Sequence, residues 1–262
     1  MIEIFLASLL IGVLAGISAG LFGIGGGVLI VPFLTWLFEI HQFNSQQILL
    51  MAVASSLATA LPTSTASLWT HHKLNNIVWN RAFRLVPSLL LASICGAVLA
   101  EFIRPELLRW FFVSYLLYNS LRLAWPQSSI VVNNQPRLYL DYPMGFVIGT
   151  ISAILGIGGG TITVPYLVGS GLPIKNAVAT SSACALPIAI SSAISYIFLG
   201  WQSDNLPEGS LGYVYLPAFL GISATSVFTA PIGARLAHRL PPKKLKRYFA
   251  VLLLLMALKM AY

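Results

Sequence analysis

The chain has 262 residues, of which 57% are hydrophobic and 8% are charged. Soluble domains carry about 25% charged residues, so this composition excludes a soluble globular protein and indicates an integral membrane protein. The formal net charge of +8 does not indicate nucleic-acid binding, because the basic residues lie in short connections between apolar segments, where they report membrane topology.

Ten apolar segments follow one another, and each is predicted to be a helix. They cover residues 4–20, 24–38, 46–68, 84–100, 109–125, 141–155, 160–170, 177–199, 213–233 and 248–261. The second and seventh are shorter than the roughly 20 residues that span a bilayer squarely, so they are either re-entrant or strongly tilted. The predicted fold class is an all-α polytopic membrane protein with two sets of five segments.

A glycine-rich turn precedes each short segment. Gly23-Ile-Gly-Gly-Gly27 is followed shortly afterwards by Val-Pro, and Gly156-Ile-Gly-Gly-Gly160 repeats the whole pattern in the second half of the chain. A duplicated backbone motif in an apolar chain is typical of a transporter built from internal repeats.

The repeat extends on both sides of the turns. Ala52–Pro62 aligns with Ala177–Pro187, and Gly96-Ala97 aligns with Gly233-Ala234. Residues 1–125 and 138–262 are therefore predicted to be homologous halves joined by a polar linker over 126–137.

Lysine and arginine counts predict the orientation. If each short segment returns the chain to its starting side, twelve basic residues fall on one face and three, Arg104, Arg109 and Lys259, on the other. This model predicts that the basic loops are cytoplasmic, that both termini lie on the opposite side, and that the halves are inverted relative to each other. Inverted repeats with interrupted segments indicate a binding site near the middle of the membrane.

The glycine turns are the first candidate for that site. Glycines expose successive N–H groups that can surround an anion, and a helix that begins after the turn adds its positive end. The segment interiors contain no obvious cationic side chain that would replace these donors. The candidate residues are Gly23, Gly25, Gly26, Gly27, Gly156, Gly158, Gly159 and Gly160. The alternative is close helix packing without a substrate role.

Hydroxyl residues are the second candidate. Ser55 and Ser56 in the third segment correspond to a cluster containing Ser181 and Ser182 in the eighth. Neutral hydroxyls suit an oxyanion that must be released as well as bound, although hydroxyls in membrane helices also bond to their own backbone. Pro62 and Pro187 follow these clusters and are candidate flexible points.

The remaining polar residues give weaker indications of function. His71, His72 and Lys73 form either an ordinary basic loop or a proton-responsive, anion-collecting vestibule, and Arg81 and Arg84 are predicted to be positive-inside anchors. Cys95 and Cys184 lie inside apolar segments, and no spacing indicates a metal site. No cofactor is predicted.

Together these motifs resemble the sulfite exporter TauE/SafE family of membrane permeases over nearly the whole chain. The resemblance implies export of small sulfur-containing oxyanions, such as sulfite or organosulfonates, coupled to an ion gradient. The family is usually given eight segments, whereas the charge pattern here favours ten.

The sequence thus predicts a secondary transporter of a bacterial inner membrane that works by alternating access and couples to an ion, with the proton preferred. It leaves open whether the working unit is one chain or a homodimer. The alternative is a membrane accessory or scaffold protein for a sulfur-metabolising enzyme. An intramembrane enzyme is disfavoured because no acid–base or Ser/His pair lies inside the segments.

Overall fold

The computed structural model describes residues 2–22, 26–43, 47–124, 138–203, 206–236 and 242–261. These residues form ten α-helices and one small antiparallel sheet. The elements are α1 Ile2–Phe22, α2 Gly27–Ile40, α3 Ile48–Lys73, α4 Trp79–Phe102, α5 Pro105–Ala124, α6 Asp141–Leu155, α7 Gly160–Gly169, α8 Ile174–Leu199, β1 Ser210–Leu211, β2 Val214–Tyr215, α9 Leu216–Leu236 and α10 Pro242–Ala261.

The predicted fold class, an all-α polytopic membrane protein, is confirmed. In the described part of the chain, six helices are long and apolar enough to cross a membrane. Helices satisfy the backbone hydrogen bonds of their interior residues within one segment, which is why they dominate where no water is present. The two short segments are also present as helices, with 14 residues in α2 and 10 in α7.

Four predicted segment ends were wrong by four residues or more. The fifth and tenth segments were expected to begin at 109 and 248, but α5 begins at Pro105 and α10 at Pro242. The third segment was expected to end at 68 and the fourth to begin at 84, but α3 continues to Lys73 and α4 begins at Trp79. His71, His72 and Lys73 therefore form the last turn of α3 and are not a loop beyond it. Hydropathy stops at the first polar residues, whereas backbone hydrogen bonding continues through them.

Glycines allow two pairs of helices to approach closely. A Cβ at Gly12 in α1 would overlap Thr225 Oγ1 in α9, and a Cβ at Gly145 in α6 would overlap Ser88 Oγ in α4. The alignment of the glycine turns pairs Gly12 with Gly145, and the alignment of Gly96 with Gly233 pairs Ser88 with Thr225. The same glycine contact is therefore made at both repeat-equivalent places.

The two sets of five helices interleave in the core. Helices α3 and α8 pack against each other, α3 also packs against α9, and α8 packs against α4. Helix α5 packs along α10. The predicted linker, 126–137, lies outside the described residues, so the boundaries of the halves remain a prediction, as does their inverted orientation.

Polar contacts collect at two ends of the helix bundle. At one, which we call the basic end, Arg81 donates to Ser170 Oγ at 3.0 Å and Asn176 donates to the Asn76 carbonyl at 2.9 Å. At the opposite end, Gln47 donates to Ser203 Oγ at 2.8 Å. Connections that the charge count assigned to one face of the membrane thus lie together.

Candidate functional site: the meeting point of the glycine turns

Helices α2 and α7 begin in the same way. Each follows a glycine in the left-handed conformation, Gly26 with φ 73° and Gly159 with φ 74°, and neither helix has a side-chain cap. A left-handed residue favours glycine because a Cβ is strained there. An uncapped helix start leaves its first N–H groups without helical partners and carries partial positive charge.

The two turns touch each other. A Cβ at Gly27, the first residue of α2, would overlap the Gly156 carbonyl oxygen and would lie 2.9 Å from Ser56 Oγ. Gly156 is itself left-handed, with φ 67°, and a Cβ there would lie 2.7 Å from Val31 Cγ2 and 2.9 Å from Val53 Cα. The structure therefore joins the first and second turns at a tightly packed contact, and the atom that faces Gly27 is a carbonyl oxygen.

Of the other predicted glycines, some lie in the second turn and some lie outside the described residues. Gly158 and Gly160 are buried in the second turn, beside Gly159. A Cβ at Gly159 would lie 2.6 Å from Ile188 Cδ1 in α8. Gly23 and Gly25 lie outside the described residues.

Of the predicted serines, Ser56 reaches the turns. Its hydroxyl donates to the Gly156 carbonyl oxygen at 2.7 Å. Ser55 Oγ accepts the Tyr215 N–H at 2.9 Å, and Ser182 donates to the Val178 carbonyl at 3.2 Å. Ser181 is fully buried in α8. The serines thus lie in the α3 and α8 core, in contact with protein groups.

The Ser55 contact has a repeat-equivalent partner. Thr180 Oγ1 in α8 accepts the Val78 N–H at 3.0 Å. Thr180 corresponds to Ser55 in the alignment of Ala177–Pro187 with Ala52–Pro62, and Tyr215 corresponds to Val78 in the alignment of Gly233 with Gly96. Each hydroxyl therefore holds the segment just before a helix of the other half, α9 in one case and α4 in the other.

The two predicted flexible points lie within unbroken helices. Pro62 is inside α3 and Pro187 is inside α8. Thr63, next to Pro62, donates to the Thr59 carbonyl at 2.8 Å and contacts Ser226 Oγ in α9 at 2.7 Å. Pro62 also lines a groove between α3 and α9.

This groove opens at the basic end and has a volume of about 830 Å³. Its lining includes Pro62, Trp69 and Lys73 from α3, and Pro231 and Arg235 from α9. Both basic side chains are exposed, and the Lys73 ammonium lies 5.2 Å from the centre of the Trp69 indole ring. Two exposed basic side chains therefore line the same groove as Pro62.

Sequence reasoning missed a buried ion pair. Arg81 Nη2 in α4 lies 2.7 Å from Asp141 Oδ1 in α6, with side-chain exposures of 4% and 0%. Arg81 was predicted to be a positive-inside anchor, and that prediction did not include its buried contact with the Asp141 carboxylate. The available signal was Asp141 itself, an acid at the start of an apolar segment in a chain with seven acidic residues.

A second cationic side chain contacts the start of α7. Arg122 Nη1, in the last turn of α5, donates to the Thr161 carbonyl at 3.4 Å, and the Tyr115 hydroxyl contacts Thr161 Oγ1. The expectation that no cationic side chain would lie near the turns therefore does not hold for the start of α7. Arg122 lies near the end of the predicted fifth segment, 109–125, and its long side chain reaches the first turn of α7.

Within the described residues, no group of three or more His, Cys, Asp or Glu side chains is arranged to hold a metal ion. Both cysteines are free, with Cys95 exposed and Cys184 buried.

Comparisons with known proteins agree with this architecture. The family model described as "Sulfite exporter TauE/SafE" matches residues 8–260. A "probable membrane transporter protein" of Haemophilus influenzae is 39% identical over 99% of both chains, and one of Methanocaldococcus jannaschii is 28% identical over 96% of this chain and 93% of the relative. No solved structure matches the chain.

Proposed function

The chain belongs to the sulfite exporter TauE/SafE family, and from that membership we propose that this membrane transporter is a secondary exporter of small sulfur-containing oxyanions, such as sulfite or organosulfonates. The name of the family supports the substrate class, and the names of the relatives indicate transporters and not enzymes. The structural observation that carries the proposal is the contact between the two glycine turns at Gly27 and Gly156.

The proposed binding site forms when this contact opens. In the structure, Ser56 donates its only hydroxyl proton to the Gly156 carbonyl. When α2 and α6 move apart, that proton becomes available to an oxyanion, together with the first N–H groups of α2 and α7. Donors of this kind bind an anion without the strong charge pairing that would slow its release.

The groove between α3 and α9 is the proposed vestibule on the basic side. Lys73 and Arg235 raise the local concentration of anions through their charge, and Pro62 connects the groove to the middle of α3. The positive-inside rule assigns this end to the cytoplasm of a bacterial inner membrane. An anion would then enter the groove from the cytoplasm, as export requires.

Alternating access provides the proposed transport cycle. The two halves would rock against each other about the central pair α3 and α8, with Pro62 and Pro187 as flexible points. An ion gradient would drive the cycle, and the proton is the proposed coupling ion. Whether one chain or a homodimer performs it does not affect the site, because the turns meet within one chain.

The test is a flux measurement with the purified full chain in proteoliposomes. Sulfite, an organosulfonate and thiosulfate are loaded in turn, and their release is followed with and without a pH gradient. We expect release of at least one of these anions to exceed that from protein-free liposomes and to change with the gradient. Equal release from both preparations for every anion would reject the transporter proposal and favour an accessory or scaffold role.

A further inference from the structure

One buried hydroxyl beside the second glycine turn has no hydrogen-bond partner among the described residues. Ser152, in α6, is 0% exposed, and its Oγ atom is unpaired. The backbone of the turn fixes its position, because the Ser152 carbonyl accepts the Ile157 N–H at 3.0 Å. A buried hydroxyl without a partner costs free energy, and a bound group that accepts its proton would remove this cost.

Other hydroxyls in the described helices bond to their own backbone. Ser18 in α1 donates to the Ala15 carbonyl at 2.9 Å, and Thr163 in α7 donates to the Gly159 carbonyl at 2.9 Å. Such local bonds are usual for serine and threonine in helices without water. Ser152 makes no bond of this kind, so its proton is free for a group outside its own helix.

The unpaired hydroxyl points into the turn from which α7 begins. A Cβ at Gly159, the residue before α7, would lie 3.3 Å from Ser152 Oγ. Gly149 and Ala153 on the same helix pack against α4, so Ser152 lies on a different face of α6, beside the glycine turn. The first N–H groups of α7 have no partner within the helix and carry its partial positive charge. A hydroxyl donor and amide donors therefore lie around one turn.

The first glycine turn lacks an equivalent hydroxyl in α1. The alignment of the two turns pairs Ser152 with Ala19, so a methyl group stands where the second turn has a hydroxyl. The serine that reaches the turns from α3 is Ser56, and its proton is already donated to the Gly156 carbonyl. Of these two serines, Ser152 is the one whose proton is available before the turns separate.

We propose that Ser152 is a substrate-binding residue, and that its hydroxyl donates to an oxygen of the transported oxyanion at the second glycine turn. This inference rests on the proposed function and adds a side chain to its site. The same anion accepts hydrogen bonds from the first N–H groups of α7. Arg122, which contacts the Thr161 carbonyl in the first turn of α7, adds a positive charge nearby. An oxyanion of sulfur suits these donors because it presents several acceptor oxygens.

The test measures binding by the full chain in lipid nanodiscs, with methanesulfonate as the probe because it is a small, singly charged sulfonate. Its Kd is determined by isothermal titration calorimetry for the wild type and for Ser152→Ala. Because hydrogen bonds to charged groups are the stronger ones, we expect the Kd to rise about tenfold or more. The free energy of unfolding should not fall, since the substitution removes no hydrogen bond of the unliganded protein.

A control variant and a flux measurement test whether the effect belongs to this hydroxyl. Ser8→Ala removes another fully buried, unpartnered hydroxyl, which lies beside Gly221 near the start of α1, and its Kd should equal that of the wild type. In proteoliposomes, Ser152→Ala should raise the KM for the anion and leave the flux at saturation within a few fold, because the hydroxyl acts in binding.

The outcomes distinguish this inference from the proposed function. Unchanged Kd and KM values in Ser152→Ala, an equal rise in the Kd of Ser8→Ala, or a loss of binding that accompanies a large loss in the free energy of unfolding would overturn the inference and leave the proposed export intact. If no sulfur oxyanion is transported, inorganic phosphate is titrated in the same way. Weaker phosphate binding in Ser152→Ala than in the wild type would reject the proposed substrate and retain the site, whereas a wild type that binds neither anion would overturn both.

Discussion

Two repeat-equivalent corners of the molecule have the same packing and different chemistry. The buried ion pair of Arg81 and Asp141, with Tyr166 and Ser170 bonded to it, lies at the corner formed by α4, α6 and α7. The repeat alignment assigns its counterpart to α9, α1 and α2. The residues that correspond there to Arg81, Asp141, Tyr166 and Ser170 are Ala218, Ser8, Phe33 and Leu37. The aligned positions thus carry an ion pair at one corner and apolar or hydroxyl side chains at the other.

The crossing of α4 with α8 and the repeat-equivalent crossing of α3 with α9 also differ in their polar contacts. Ser93 Oγ in α4 and Ser191 Oγ in α8 are joined by a hydrogen bond of 2.7 Å. The equivalent residues at the crossing of α3 and α9 are Ala230 and Ala66, and Ala66 lines the groove. One crossing is thus joined by hydroxyls where the other has methyl groups beside a groove.

The largest expected effect comes from breaking the contact that both halves share. Gly27→Ala places a methyl group on the Gly156 carbonyl oxygen, so the turns must separate, and we expect anion flux to fall to the protein-free level. Gly169→Ala is the matched control in α7, because a Cβ there has no atom within 4 Å. Equal flux in these two variants would show that the meeting of the turns is not required.

The second-largest expected effect comes from breaking the ion pair of Arg81 and Asp141. Arg81→Ala leaves Asp141 buried without its cation, and removing one partner of a buried pair costs about 3–5 kcal/mol. We expect a matching loss in the free energy of unfolding, measured by denaturant titration in detergent. The double variant Arg81→Ala with Asp141→Ser has the residues of the other corner, Ala218 and Ser8, and should recover most of the lost free energy of unfolding.

Ser8→Ala is the control for that comparison. Ser8 Oγ has no hydrogen-bond partner among the described residues, so its removal should change the free energy of unfolding by less than about 0.5 kcal/mol. A loss as large as that of Arg81→Ala would mean that the two corners contribute alike.

A smaller effect, on the KM for the anion, is expected from removing the basic residues of the groove. Replacing Lys73 and Arg235 with Gln removes both charges of the groove, and we expect the KM for the anion to rise by about threefold to tenfold because steering is lost. The rise should shrink at high ionic strength. Lys175→Gln, an exposed basic residue at the same end, is the control, and an equal rise there would indicate a general surface charge effect.

The smallest expected effect comes from removing the hydrogen bond between Ser93 in α4 and Ser191 in α8. Ser93→Ala removes the hydroxyl pair with Ser191, and hydrogen bonds between membrane helices contribute about 0.6 kcal/mol on average. We expect a loss of that order in the free energy of unfolding and a change of a few fold in the rate of flux. Ala66→Ser, which introduces a hydroxyl beside the groove, should not reproduce both changes; if it does, the crossings are not functionally different.

The sequence by itself determined the membrane class, the ten helices and the pairing of the two glycine turns. The low charged fraction indicates a membrane environment, and the lengths of the apolar segments indicate helices. A motif that recurs at a constant offset indicates an internal repeat. These properties are local, or are sums over the chain, so no knowledge of packing is needed to obtain them.

Only the tertiary structure decided which polar groups meet. The contacts of Ser56 with Gly156 and of Arg81 with Asp141 join residues 100 and 60 positions apart, and no periodicity predicts such pairs. The direction of a side chain depends on the neighbouring helix that supplies its partner. For the same reason, Arg81 resembles a surface anchor in sequence and is a buried cation in the fold.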